Sequence, residues 1–276
     1  MNIDVGSPDE VTSYRKIAMA SWRHPRDPTT YSWIDIPVTT AEAYLKSIDS
    51  EVTPTLTHFL ALAIADCLKR NPEFNRFLRA GKLYPRKSTD AFITTLLRGK
   101  KGKDLSGFVI REIGKKGLAE VAKESAEATG ILRRGEDEEM NVAQRRANLL
   151  PAELLRVVMW FQELVAYRLN LNPEWVGMPK DRFGSFIISN IGALGLERAL
   201  IPLSPYTRCP IIIGLGKPKE EAIVRDGEVV VDRVVNISMT FDHRFADGAQ
   251  GAMVMRRLQK LFANPEGFSE VFDSLT

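Results

Sequence analysis

The sequence predicts an α/β protein, and three stretches carry that prediction. Residues 234–241 alternate strictly, with Val235, Ile237, Met239 and Phe241 on one face and Asn236, Ser238 and Thr240 on the other, the pattern of a strand. Just downstream, Met253, Val254, Leu258, Leu261 and Phe262 recur at helical spacing. Residues 52–69 read as a buried helix, because Leu56, Phe59, Leu60, Ala63, Ile64, Cys67 and Leu68 fill most of its circumference.

The remaining elements follow in order. Thr53 and Pro54 are suitable helix-start residues for 52–69. Residues 118–128 form a second helix. Residues 222–241 read as a hairpin, Ile223-Val224 and Val229-Val230-Val231 joined by Asp226-Gly227, a pair that tolerates the positive φ of a tight turn. Between these lie a charged patch at 133–139 and a very apolar helix at 151–169. Glu153, Arg156, Glu163 and Arg168 interrupt that helix, so it falls short of the ~20 uninterrupted apolar residues of a membrane span. Apolar nearly all round, it is expected to be buried against other helices or a neighbouring subunit.

Composition excludes more than it identifies. The chain has 276 residues, enough for one large domain or two small ones. A net charge of +3 is too small to argue for nucleic acid or an acidic membrane surface. Cys67 and Cys209 provide neither a disulfide framework nor metal-ligand spacing, so no metal is expected. Residues 1–10 are polar and lack the apolar core of a secretory signal, which makes a cytoplasmic protein the default.

Chemistry concentrates in two segments. Phe241-Asp242-His243-Arg244-Phe245-Ala246-Asp247-Gly248 puts a histidine where strand gives way to helix, and Gly248 allows a sharp turn there. Histidine titrates near neutrality and suits general-base work; Asp247 either fixes the local backbone or pairs with a cation. Upstream, residues 183–192 form a short apolar strand carrying Ser185 and Ser189 and ending in Asn190-Ile191-Gly192 turn chemistry. His24, His58 and Ser185 are read as structural, and Asn190 as shaping the turn. The basic run Arg98, Lys100, Lys101 and Lys103 reads as a solvated loop, since Gly99 and Gly102 punctuate it, with contact to a ligand's phosphates as the alternative.

Together, Ile188-Ser189-Asn190-Ile191-Gly192 and Asp242-His243-Arg244 with Asp247-Gly248 resemble the serine strand and the D-H-R-x-x-D-G segment of the dihydrolipoamide acyltransferases. These are the core subunits of 2-oxo acid dehydrogenase complexes. Further similarity lies in Arg15-Lys16-Ile17-Ala18, Asn71-Pro72-Glu73-Phe74-Asn75, 116–122, 212–216 and Asn264-Pro265-Glu266. The resemblance implies a chloramphenicol acetyltransferase-like two-layer α/β sandwich, a mixed sheet with helices on one face. It implies one catalytic domain over 1–276, from whose usual pattern this chain departs by an inserted helical segment at about 130–182. It also implies His243 as base, Ser189 as oxyanion donor, Asp247 as orienting group and Arg15 as the arginine paired with it.

Two further departures stand beside these matches. Residues 91–110 differ from the family's A-V-A-T-P-x-G-L strand-turn-strand and carry a longer basic turn. No lipoyl-lysine segment or Pro/Ala-rich linker precedes the core, so a lipoyl carrier protein is expected to come from another chain. The resemblance then predicts a homotrimer, or a higher assembly of trimers, with sites between subunits. Its substrates would be coenzyme A as small-molecule acyl donor and a thiol, alcohol or amine acceptor, dihydrolipoamide among them. Two alternatives are an enzyme acting on a free small molecule and a non-catalytic assembly protein. Ser189 far from His243 would favour the non-catalytic reading; a tunnel meeting between subunits would favour an enzyme.

Overall fold

In the computed structural model, residues 13, 27–99, 102–136, 151–171, 181–205 and 207–268 are described. A mixed sheet of seven strands organises them. Its strands are β1 (Thr29–Pro37), β4 (Ala91–Gly99), β5 (Gly102–Ile110), β6 (Phe186–Asn190), β7 (Ile211–Leu215), β8 (Lys219–Arg225) and β9 (Glu228–Asp242), while β2 (Arg76–Arg79) and β3 (Lys82–Pro85) pair as a separate hairpin. The order is β1-β9-β7-β6-β4-β5, with β8 also on β9. β6 runs parallel to both β4 and β7, and the other pairs are antiparallel.

β9 shows why the alternation of 234–241 was legible. Val235, Ile237, Met239 and Phe241 enter the main core, and Asn236, Ser238 and Thr240 take the opposite face, where they too are buried. β7 and β8 follow one another along β9. Leu215 pairs with Ile237 and Lys219 with Val234, so the connecting segment holds one residue more than β9 does. Such an extra residue bends a strand, and Pro218 sits where no ladder donor is required. The β8–β9 turn is the one expected, with φ of 52° at Asp226 and 86° at Gly227.

Helices cover one face: α1 (Thr39–Ser47), α2 (Leu56–Arg70), α3 (Leu118–Arg134) and α5 (Gly248–Ala263), while α4 (Ala152–Gln162) stands apart. α2 is apolar around its circumference because it is enclosed; Phe59 through Leu68 are all buried. Phe59 meets Phe262 of α5 edge-on, with ring centroids 4.8 Å apart, and Phe74 meets Phe241 at 5.7 Å. Cys67 is a core residue, as its setting indicates. On the other face a smaller cluster joins Phe92, Phe183, Ile187, Cys209 and Ile212, roofed by Ile201 and Leu203.

Several boundaries differ from expectation. α2 begins at Leu56, not at 52, because Thr55 caps it in a reciprocal box with His58. Thr53 and Pro54 lie before the helix. α3 runs six residues beyond the expected 128, as far as Arg134. The apolar 151–169 stretch is helical but is not buried against this chain's other helices, for Leu154, Val157, Trp160 and Phe161 are exposed, which leaves the neighbouring-subunit half of the expectation standing. Its second half, Glu163–Arg168, is a π-helix. Arg15, His24, Lys100 and Lys101 lie outside the described residues, as do the side chains of Arg98 and Lys103. Among the described residues no helix is long and apolar enough to cross a membrane.

Asp66 is the charged group inside the helical layer. Its carboxylate accepts Arg70 Nε at 3.1 Å and Arg257 Nε of α5 at 2.7 Å, with the Asp66 side chain 2 % exposed. Removing it takes the shared acceptor from Arg70, which is half exposed, and from Arg257, which is a quarter exposed. Asp66→Ala is expected to lower stability by about 2–3 kcal/mol, read as a shifted midpoint in urea unfolding.

Candidate active site

His243 follows directly on β9, and local hydrogen bonds lock its backbone. Its N–H donates to Pro28 O at 2.8 Å, and the Asp242 N–H donates to Pro210 O at 3.0 Å. Phe245 N–H returns to Asp242 O at 3.0 Å, closing a tight turn around the histidine. The Asp242 carboxylate accepts the Arg244 N–H at 2.9 Å and clasps its guanidinium from Nε and an Nη at 2.9 and 2.6 Å. These hydrogen bonds hold the Arg244 guanidinium above its ordinary pKa despite partial burial. The histidine residue itself is exposed. The strand-to-helix junction therefore presents a solvent-facing imidazole on a backbone that cannot swing.

Asp247 caps α5. Its Oδ1 accepts the N–H of Ala249 at 2.7 Å and of Gln250 at 3.4 Å, and Gln250 Oε1 accepts the Asp247 N–H at 2.9 Å. The box fixes the turn at Gly248 from its far side. The pairing implied with Arg15 lies outside the described residues.

Ser189 lies near the C-terminal end of β6, on the face away from the helices, because Ile188 beside it belongs to the main core. Thr94 Oγ1 donates to Ser189 Oγ at 3.3 Å. Across β7, Ser189 pairs with Gly214, and Gly214 pairs with Ser238. A side chain at Gly214 would run into the Ser238 hydroxyl and Ile201. The glycine thus keeps a gap in a row of hydroxyls from Thr94 through Ser189 to Ser238. Neither Thr94 nor Ser238 was singled out as a site residue; the polar half of each strand's alternation was the available signal.

Asn190 shapes the turn after β6. Its Oδ1 accepts Ala193 N–H at 3.0 Å, while Nδ2 donates to Thr57 Oγ1 of α2 at 3.0 Å. Ser185 is tied to the loop before β4, its Oγ accepting Asp90 N–H at 3.2 Å.

The sheet brings Asp242, His243, Arg244 and Asp247 together at one end but does not bring Ser189 to them. Ser238 is level with Ser189, and His243 lies five residues further along β9. That is roughly 17 Å along the strand and about 10 Å across two strand spacings. In one chain the serine and the histidine do not share a site. Within one chain this separation favours the non-catalytic reading, and the enzyme reading requires a second copy to supply one of the two.

His58 also departs from its usual chemistry. Its Nδ1 accepts Thr55 N–H at 3.2 Å, and burial lowers its pKa from 6.5 to about 4. The neutral ring completes the α2 cap above pH 6.5, and the stability tied to it is lost as pH falls from 6.5 towards 4. His58→Gln retains an acceptor at the same capping position. It is expected to flatten the fall in thermal midpoint between pH 6.5 and 4 that the native protein shows.

Comparison with known proteins gives this arrangement a context. Residues 180–269 match the family profile "2-oxoacid dehydrogenases acyltransferase (catalytic domain)". An 81-residue stretch is 40 % identical to the dihydrolipoyllysine-residue acetyltransferase component of the pyruvate dehydrogenase complex of Staphylococcus aureus. It covers 29 % of this chain and only 18 % of that protein's length. Among solved structures, a probable dihydrolipoamide acetyltransferase from Listeria monocytogenes superposes with a TM-score of 0.63 at 16 % identity, over 94 % of each chain. The cubic core of a pyruvate dehydrogenase multienzyme complex gives 0.63 at 23 %, over 95 % of this chain and 94 % of its own. The fold is therefore that of these catalytic cores, the mixed sheet with helices on one face that the sequence led us to expect.

Proposed function

We propose that this chain is a catalytic domain, single over 1–276, of an acyltransferase that moves an acyl group between coenzyme A and a thiol acceptor of the dihydrolipoamide class. The observation that carries the reading is the locked His243 turn, lying with the Ser189 strand inside the 180–269 match. A further solved relative of the same fold, at 22 % identity, is the Azotobacter vinelandii dihydrolipoamide acetyltransferase, studied for a serine, a histidine and an asparagine in its catalytic mechanism. There the asparagine follows the histidine by four residues, the spacing of Asp247 from His243.

The chemistry is acyl exchange between thiols. His243 takes the proton from the incoming thiol, and the thiolate attacks the thioester carbonyl. The tetrahedral oxyanion accepts a hydrogen bond from the Ser189 hydroxyl, which Thr94 holds in position. Collapse breaks the old carbon–sulfur bond, and the leaving thiolate recovers the proton from the imidazolium. Asp247 orients His243 through the α5 cap and takes no proton. In this reading the acceptor thiol belongs to a lipoyl group, the site lies between copies of a homotrimer, and the compartment is the cytoplasm.

Separation of Ser189 from His243 within one chain makes the proposal sharply testable. His243→Ala and Ser189→Ala are each expected to lose at least about 10²-fold in transfer from acetyl-coenzyme A to dihydrolipoamide. Co-expressed and randomly mixed, they should recover about a quarter of native activity, because a ring of heterologous contacts then rebuilds that share of sites. Mixed assemblies as inactive as either parent would favour the non-catalytic reading. Asp247→Ala should cost about 1 kcal/mol of stability, and Asp247→Asn only a few tenths, since asparagine also caps helices; thermal unfolding distinguishes them.

A further inference from the structure

The exposed apolar segment walls off a chamber. Between 151–171, the β2–β3 hairpin, the turn at 181–183, Pro205 and Arg208 lies a cavity of about 1140 Å³. Small-molecule pockets usually measure about 300–1,000 Å³, so the space admits a whole ligand. Leu155, Met159, Glu163, Ala166 and Asn170 recur at helical spacing and turn one face of the segment to it. Leu154, Val157, Val158 and Phe161 lie on the other face and take no part in the lining. Glu163 and Tyr167, on the chamber side, belong to the π-helical turn, a feature frequent at functional sites.

The charges of the wall are already engaged with one another. Arg79 donates to Arg168 O at 2.8 Å and to Leu169 O at 3.3 Å. Arg86 pairs with Asp181, Arg208 with Glu163, and Arg156 with Glu153 at 2.8 Å. Arg182 lies over the Phe183 ring and has a partner of its own, while Lys87 is exposed to solvent. Both carboxylates of the lining, Glu163 and Asp181, are consumed in these pairs. An ionised ligand would give up its hydration with no idle guanidinium among the described residues to replace it, which is costly. The arginines serve the rings instead. Arg86 stacks over Phe77 at 5.8 Å and Arg208 over Tyr167 at 5.9 Å, and those two rings are 5.9 Å apart, so the wall is braced.

What the wall offers a ligand is therefore aromatic and apolar surface. Trp160 is 62 % exposed, Tyr84 43 % and Met159 37 %, and all three line the chamber, Tyr84 from the hairpin and the other two from the helix. Large apolar side chains gathered beside a cavity mark a place where an apolar partner binds. Rings favour rings in offset or edge-on contact, and a thioether favours a ring edge. We propose that the chamber is a binding site for an uncharged small molecule with a flat aromatic body, held among Tyr84, Met159 and Trp160. The amides of Gln162 and Asn170 on the same wall suit one neutral hydroxyl or carbonyl on it. Binding there requires neither His243 nor Ser189, so it stands or falls apart from the acyltransferase reading.

The test is fluorescence titration of the full chain with the neutral dye N-phenyl-1-naphthylamine, beside 8-anilino-1-naphthalenesulfonate, the same body carrying a sulfonate. The neutral dye is expected to saturate one site per chain and to bind about tenfold more tightly than the sulfonate. Its affinity should stay within about twofold as sodium chloride rises from about 0.05 to 0.5 M, because no ion pair is screened. Trp160→Ala should weaken it about fivefold and Trp160→Phe much less, since phenylalanine keeps a ring. Phe161→Ala, on the outer face of the same helix, and His243→Ala should leave it unchanged. Unlabelled 2-naphthol should displace the dye, and 1-decanol should not. Tighter binding of the sulfonate, equal competition by decanol, or losses as large in Phe161→Ala as in Trp160→Ala overturns the assignment, the last by showing that the dye merely coats exposed apolar surface. If circular dichroism shows Trp160→Ala unfolded, Tyr84→Ala on the hairpin wall decides, with the same fivefold loss expected and native affinity overturning the assignment.

Discussion

β9 is hydrogen-bonded to β1 from Val234 to Asp242 and to β7 and then β8 over most of its length. A strand in that position has little freedom, because slipping it by one residue would turn Val235, Ile237, Met239 and Phe241 out of the helical core and drive Asn236, Ser238 and Thr240 into it. Register is therefore strongly specified, and the point where β9 ends is specified with it. His243 is the next residue. The core thus positions the candidate base without any contact to its ring, and the Asp242–Arg244 clasp and the Asp247 cap finish the work on either side.

The same register keeps Ser189 away. β6 is short, joined to β9 only through β7, and its serine sits level with Ser238 in the middle of the sheet. Rigid pairing that places the histidine well also holds the two halves of the proposed chemistry apart in one chain. Ser238 is buried in the row of hydroxyls, while Tyr31 and Trp33, paired with Thr240 and Ser238, stand exposed on β1.

A cavity of about 1140 Å³ lies under the 151–171 segment. Apolar residues all round a helix normally mean burial on all sides, and here one face turns to a cavity while the other stays exposed. Arginines stacked on rings give that cavity a chemistry which the hydropathy of the helix does not announce. Arg86, Arg182 and Arg208 come from three separate turns, so no local pattern could have grouped them.

What the sequence determined by itself was whatever depends on local chemistry. The alternation of 234–241, the Asp226-Gly227 turn, the enclosed helix from Leu56 and the histidine at a strand-to-helix junction were all readable, because each follows from side-chain period or backbone preference within a few residues. Helix starts were misread where a cap outweighed propensity, as at Thr55 and His58. Only the tertiary structure decided which strands are neighbours, that Ser189 and His243 are held apart in one chain, and that three distant arginines share a wall. Those outcomes rest on pairing and packing between residues far apart in sequence, and strand order is set by the core that the strands bury together.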